Sequence, residues 1–223
     1  MSGFSNRGAG ERKIYANIFK GKFTLQAKGP GKDEHGTEAV MRTNKNNAEV
    51  WEYHYGSLSG ELESIKAEKN DTLKAWQYIL SVRIIAGPLV TINVSADSRY
   101  GDSLAQRINN LKIGPITLNP YDFTDKEGKK STGISILQDG AKVAASITTE
   151  NPQGRPQTDP KVRLDEDEYK AHSILVRKFY RELVIKWGES NNPKEAASAS
   201  VPSNVVEDPL AEFEQTDADD LPF

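Results

Sequence analysis

From Leu73 to Ala86 side-chain polarity alternates with a period of two. Trp76, Tyr78, Leu80, Val82 and Ile84 fall on one face of an extended chain, and Gln77, Ser81 and Arg83 fall on the other. A helix would scatter those apolar groups around its circumference, so this stretch can bury one face only as a strand within a sheet. Gly87-Pro88 breaks it, and Leu89 to Val94 reads as the next strand. The same period recurs upstream. Ile14 to Ala27 reads as one strand, or two with a bend at Gly21, with Phe19, Phe23 and Leu25 on one face and Lys20, Lys22 and Thr24 on the other. Val50 to Lys69 also alternates. Trp51, Tyr53 and Tyr55 share a face, but Leu58 and Leu62 take the opposite parity, so the pattern demands a bulge or bend at Gly56 or Gly60. Ile116 to Leu118, Gly133 to Leu137 and Lys142 to Ile147 extend the series, with a hairpin turn at Gln138-Asp139-Gly140.

Two segments carry a helical period instead. Leu104, Ile108 and Leu111 mark a short helix within Asp102 to Lys112. Asp165 to about Trp187 is a longer one. Acids fill its first turn, Tyr169, His172, Val176, Phe179, Tyr180, Leu183 and Trp187 form its stripe, and Gly188 is the expected end. Thr149 to Pro160, with three prolines, reads as a linker or long loop. The expected fold is mainly β: a small barrel of the OB type with one short internal helix, a long helix after the barrel, and a disordered acidic tail. A β-sandwich with an appended helix gives the same string. Residues 1–10 are expected to form a flexible arm, 11–188 a single body with its helix at about 165–187, and 189–223 the tail.

The formal net charge of −3 hides a segregation. From Glu189 onward nine acids face one base, Lys194, giving −8, while residues 1–188 carry +5. There is no cysteine, which excludes disulfides and thiol chemistry, and His35, His54 and His172 sit in no metal-ligand spacing. No apolar run approaches the roughly 20 residues of a membrane span, and the first ten residues lack the apolar core of a secretory signal. The expectation is a cytoplasmic protein that needs no metal or cofactor. Gly29-Pro30-Gly31 is not followed by the Gly-Lys-Ser/Thr of a phosphate-binding loop, and no nucleophile elbow occurs. The chain is therefore expected not to be an enzyme. A carboxylate-metal nuclease using Asp122 and Asp125, or Asp165 and Asp167, is the enzymatic alternative.

A basic body with aromatic rows suits a nucleic-acid strand, because cations neutralise phosphates and ring faces stack bases. Trp51, Tyr53 and Tyr55 are the candidate stacking platform, with successive rings about 7 Å apart along a strand. Lys20, Lys22, Arg42, Lys45 and Arg83 are the candidate phosphate contacts. The aromatic row has a second reading, as core.

The chain ends in Asp217, then Asp219-Asp220-Leu221-Pro222-Phe223. Pro222 stiffens the approach, Phe223 offers an apolar ring beside a free carboxylate, and the acids suit a basic rim: together they form a plug for a pocket on another protein. This tip resembles that of the single-stranded DNA-binding proteins of bacteria and their phages, whose tails close in an acidic Asp-Asp-Ile/Leu-Pro-Phe type sequence. The likeness covers Asp217, Asp219, Asp220, Leu221, Pro222 and Phe223, and no motif of the body aligns with the bacterial proteins. The resemblance implies an OB-fold body that coats single-stranded DNA in replication, recombination or repair. It also implies a tip that docks proteins such as a polymerase, helicase or nuclease, in a bacterial or phage-infected cell. The tail is further expected to compete with DNA for the basic groove of its own body. A replication adaptor whose body binds protein rather than DNA shares the tail evidence, and the oligomeric state is left open.

Overall fold

The computed structural model describes residues 13–33, 35–44, 47–85, 87–159 and 161–193. The expected N-terminal arm, Lys45 and the whole acidic tip lie outside the described residues. Ten strands occur among the described residues: β1 (Lys13–Phe19), β2 (Lys22–Ala27), β3 (Val40–Thr43), β4 (Glu49–Tyr55), β5 (Leu58–Asn70), β6 (Ala75–Arg83), β7 (Leu89–Ser95), β8 (Gly114–Thr124), β9 (Lys130–Gln138) and β10 (Ala141–Lys142). Helix α1 (Arg99–Ala105) and a 3-10 turn (Ile108–Asn110) take the place of the short helix expected over Asp102 to Lys112, and α2 spans Glu166–Asn191. The fold is mainly β.

All ten strands belong to one sheet, in the order β10-β9-β8-β5-β6-β7-β1-β2-β4-β3. Every pairing is antiparallel except β1 with β7. Trp76, Tyr78, Leu80 and Val82 face the core as their alternation requires, with Tyr78 and Val82 fully buried. The parity conflict downstream of Tyr55 resolves in two steps. Gly56 and Ser57 separate β4 from β5, and a register shift between Leu62 and Ser64 then keeps both Leu62 and Ile65 inward.

One strand assignment is corrected. Lys20 (φ 47°) and Gly21 (φ 72°) are both left-handed, the geometry of a two-residue hairpin turn. Ile18 therefore pairs with Phe23 and Phe19 with Lys22, so Phe19 lies on the face opposite Phe23 and Leu25, not beside them. Glycine at position 21 is needed twice over, since a Cβ there would also lie 2.6 Å from the Asp122 backbone nitrogen.

That close approach shows how far the sheet curls: the β1–β2 turn rests on β8. No ladder joins the two among the described residues, so the sheet is not closed. Helix α1 fills the seam on the other side. Ser103 Oγ accepts from the Ile134 amide (3.1 Å) and donates to the Ile134 carbonyl (3.2 Å) on the free edge of β9. Gly101 packs so tightly on β7 that a Cβ would lie 2.5 Å from the Ser95 carbonyl oxygen.

Helix α2 starts at a reciprocal capping box between Asp165 and Glu168. Its second half enters the core through Tyr180, Val184 and Trp187, while Tyr169, Ile174 and Leu175 in the first half are exposed. Trp187 Nε1 donates to the Leu111 carbonyl (3.2 Å). The helix does not stop at Gly188. That glycine is a packing position, where a Cβ would lie 2.8 Å from the Ile65 carbonyl oxygen. The helix runs on to Asn191, and the Asn192 side chain then clamps both backbone groups of Ile65, at 3.0 and 2.9 Å. The strand expected from Lys142 to Ile147 is short: beyond Lys142 the chain is irregular, with Val143 and Ile147 still buried.

Candidate nucleic-acid interface

Strand β4 carries the aromatic row predicted as a platform. Its register sets Trp51 opposite Ala27, Tyr53 opposite Leu25 and Tyr55 opposite Phe23, so all three rings share the face of β2 that carries Phe23. The row is divided in its surroundings. Tyr55 packs against the core, and its hydroxyl donates to the Asp33 carboxylate, which also accepts from the amides of Thr37 (2.7 Å) and His35 (3.0 Å). The Tyr55 bond, helped by those amides, holds the Asp33 carboxyl below its ordinary range, while burial and then Asp33 push the Tyr55 phenol upward. Trp51 and Tyr53 are half-exposed outside the core cluster, with Met41 of β3 opposite Trp51.

The predicted cations lie elsewhere. Arg42 alternates to the other face of β3, where its Nε and Nη2 donate to Glu52 at 2.8 and 2.6 Å. That fork holds the buried Glu52 carboxyl below its ordinary value against the opposing effect of burial, and in turn raises the Arg42 pKa. His54 Nε2 stands 3.5 Å from Glu52 on the same face. The Arg42 guanidinium and the Lys20 ammonium lie 5.6 and 5.3 Å from the centre of the Phe19 ring. Lys22 is exposed opposite Phe19. Arg83 is separated from β4 by β7, β1 and β2, and it bonds to Glu63. Lys20, Lys22 and Arg42 thus gather around Phe19, on the face away from Trp51 and Tyr53, and Arg83 stands apart.

Around Phe19 lies a surface that the sequence reading missed. The outward side chains of β1 are Lys13, Tyr15, Asn17 and Phe19, with Tyr15 62% and Phe19 45% exposed. Cross-strand pairing sets Tyr15 beside Thr91 and Asn17 between Asn93 and Thr24. Strands β7, β1 and β2 contain no acidic residue, and from Lys13 to Lys32 the chain holds five lysines and no acid. An exposed sheet face made of rings, amides, hydroxyls and lysines suits a polyanion with flat bases: lysines at phosphates, ring faces at bases, Asn17 and Gln26 at base edges. The available signal was the acid-free lysine run, together with large apolar residues in both parities of β1.

No cluster of metal-ligating side chains occurs among the described residues, and no helix among them is long and apolar enough to cross a membrane. The fold and this face define a mainly-β protein built on one curled sheet with a basic, aromatic outer face on β1 and β2. Compared with family models, curated proteins and solved structures, the chain matches none of them.

Proposed function

We propose that this protein is a non-enzymatic single-stranded DNA-binding protein. It coats exposed strands during replication, recombination or repair and recruits partner proteins through Asp217, Asp219, Asp220, Leu221, Pro222 and Phe223. The observation that carries the reading is the acid-free outer face of β7, β1 and β2, with Tyr15 and Phe19 exposed among lysines. Two further features support it. The run β7-β6-β5-β8-β9, with α1 between β7 and β8, has the strand order of an OB barrel, a fold that binds oligonucleotides on its exterior. Trp51 and Tyr53 add a second half-exposed aromatic surface on the neighbouring strand pair.

Binding of the full chain to fluorescein-labelled oligothymidylate, followed by anisotropy across a salt series, tests the proposal. Log affinity is expected to fall linearly with log salt, by about 0.7 for each phosphate neutralised. Phe19→Ala and Tyr15→Ala are each expected to cost about 1 kcal/mol or more, the scale of one lost base stack. Trp51→Ala reports separately on the second surface. Absence of salt-dependent binding by the wild-type chain would sink the reading and leave the adaptor alternative.

A further inference from the structure

We propose that the cleft between α1 and the end of β8 binds one nucleotide of a strand, its phosphate on Arg99 and Arg107 and its base on Tyr121 and Phe123. The inference rests on the single-strand-binding reading and adds a site that reading does not contain. The cleft has a volume of about 220 Å³, several times the roughly 30 Å³ that one molecule occupies in liquid water, so a phosphate group fits.

Arg107 is pre-set for an anion. Its Nη1 donates to the Ser103 carbonyl (2.7 Å) and Oγ (3.0 Å), which fixes the guanidinium. Its Nε is buried with no acceptor among the described residues. With Nε and Nη1 turned inward the guanidinium is held in place, and Arg107 lines the cleft, so its fixed charge suits a phosphate bound there. Arg99 is exposed on the same wall and reaches the Lys130 carbonyl at 3.5 Å. Two carboxylates stand near the cleft, and both have cationic neighbours. Asp122 is engaged by Lys130 Nζ (3.3 Å) and the Thr132 hydroxyl (3.0 Å). Asp102 lines the cleft itself; burial pushes its pKa upward, and Arg177, Arg155 and Arg99 lie near enough to pull the other way.

The ring platform depends on a glycine. Gly133 pairs with Tyr121, and a Cβ there would lie 2.6 Å from the phenol oxygen, so its absence lets the ring lie across β9 toward α1. Phe123 follows on the same face, 55% exposed, with its centroid 5.8 Å from that of Tyr121. The site also adjoins the first face. The β1–β2 turn, carrying Lys20, rests on the Tyr121 and Asp122 backbone, and the Gly21 amide donates to the Tyr100 hydroxyl of α1 (2.8 Å). A strand leaving Phe19 crosses that lysine to reach Tyr121.

The test uses the full chain and labelled oligothymidylate, comparing wild type with Phe123→Ala and Arg99→Gln. Both positions are exposed, and thermal melts of the free proteins verify that the variants fold. Phe123→Ala is expected to weaken binding about five-fold or more. Arg99→Gln is expected to weaken it and to reduce the salt slope by roughly 0.7, one phosphate contact. Wild-type affinity and slope in both variants overturn this site while leaving strand binding intact. A loss in Arg99→Gln with an unchanged slope overturns the phosphate assignment. Failure of the wild-type chain itself to bind overturns both proposals.

Discussion

Glu52 lies on the outward face of β4, yet its side chain is only 10% exposed, and Arg42, 40% exposed, grips both of its oxygens. A carboxylate so placed is stable only while its partner remains, because the water it gave up is replaced by one guanidinium. Arg42→Gln is therefore expected to cost about 2–3 kcal/mol near neutral pH, since it strands a buried charge. The pH dependence follows from the direction of the shift. Glu52 has a folded-state pKa below its ordinary 4.5, so the pair's contribution is complete above that value and disappears as pH falls through the lower folded value. Urea unfolding of wild type and Arg42→Gln should thus show a gap at pH 7 that narrows as pH falls below 4.5 and closes once pH is below the folded value. A gap that persists in acid would place the effect in the contact of Arg42 with Phe19 instead.

Strand β1 and helix α1 show what local pattern conveys and what it omits. The alternation of Trp76, Tyr78, Leu80 and Val82 was readable because one face of β6 is buried, and burial fixes parity. The side of Phe19 was not readable. It depends on a two-residue turn at Lys20-Gly21, which lacks the Asn-Gly or Asp-Gly that announces such turns, and a one-residue difference there reverses every side chain. That single reversal hid the exposed rings of the candidate face, although Lys20 and Lys22 were recognised in sequence. Gly188 misled for a related reason: a terminating glycine and a glycine required by close packing are the same letter, and only the approach of Ile65 separates them. Gly101 is a second packing glycine and can be tested. In a free helix Gly→Ala gains about 1 kcal/mol. In α1 the new Cβ would lie 2.5 Å from the Ser95 carbonyl oxygen, a backbone atom that cannot rotate away. Gly101→Ala is expected to destabilise the protein by about 2 kcal/mol, measured by urea unfolding, because overpacking outweighs propensity. A gain in stability would mean that α1 is not held against β7 this tightly.

At the scale of the whole molecule, the structure moves the division between body and tail. The charge split drawn at residue 188 cuts through α2 and removes Asn192, whose side chain holds Ile65. The compact unit extends through Pro193. Redrawn there, residues 194–223 hold eight acids and one base, a charge of −7, and residues 1–193 carry +4. An acidic segment of this charge on the same chain is expected to lower the attraction of the body for a polyanion. The effect depends on screening, with a Debye length of about 30 Å at 0.01 M salt and about 8 Å at 0.15 M. Deleting residues 194–223 is therefore expected to tighten oligothymidylate binding several-fold at low salt, with the advantage shrinking as salt rises. If the proposed docking role of the tip holds, the same deletion should abolish recruitment of partner proteins. A deletion beginning at residue 189 is a poor substitute, since loss of the Asn192 clamp would weaken the fold and mask any gain in affinity. If the chain ending at Pro193 melts like wild type and binds DNA no more tightly at low salt, the acidic segment has no electrostatic hold over the basic face.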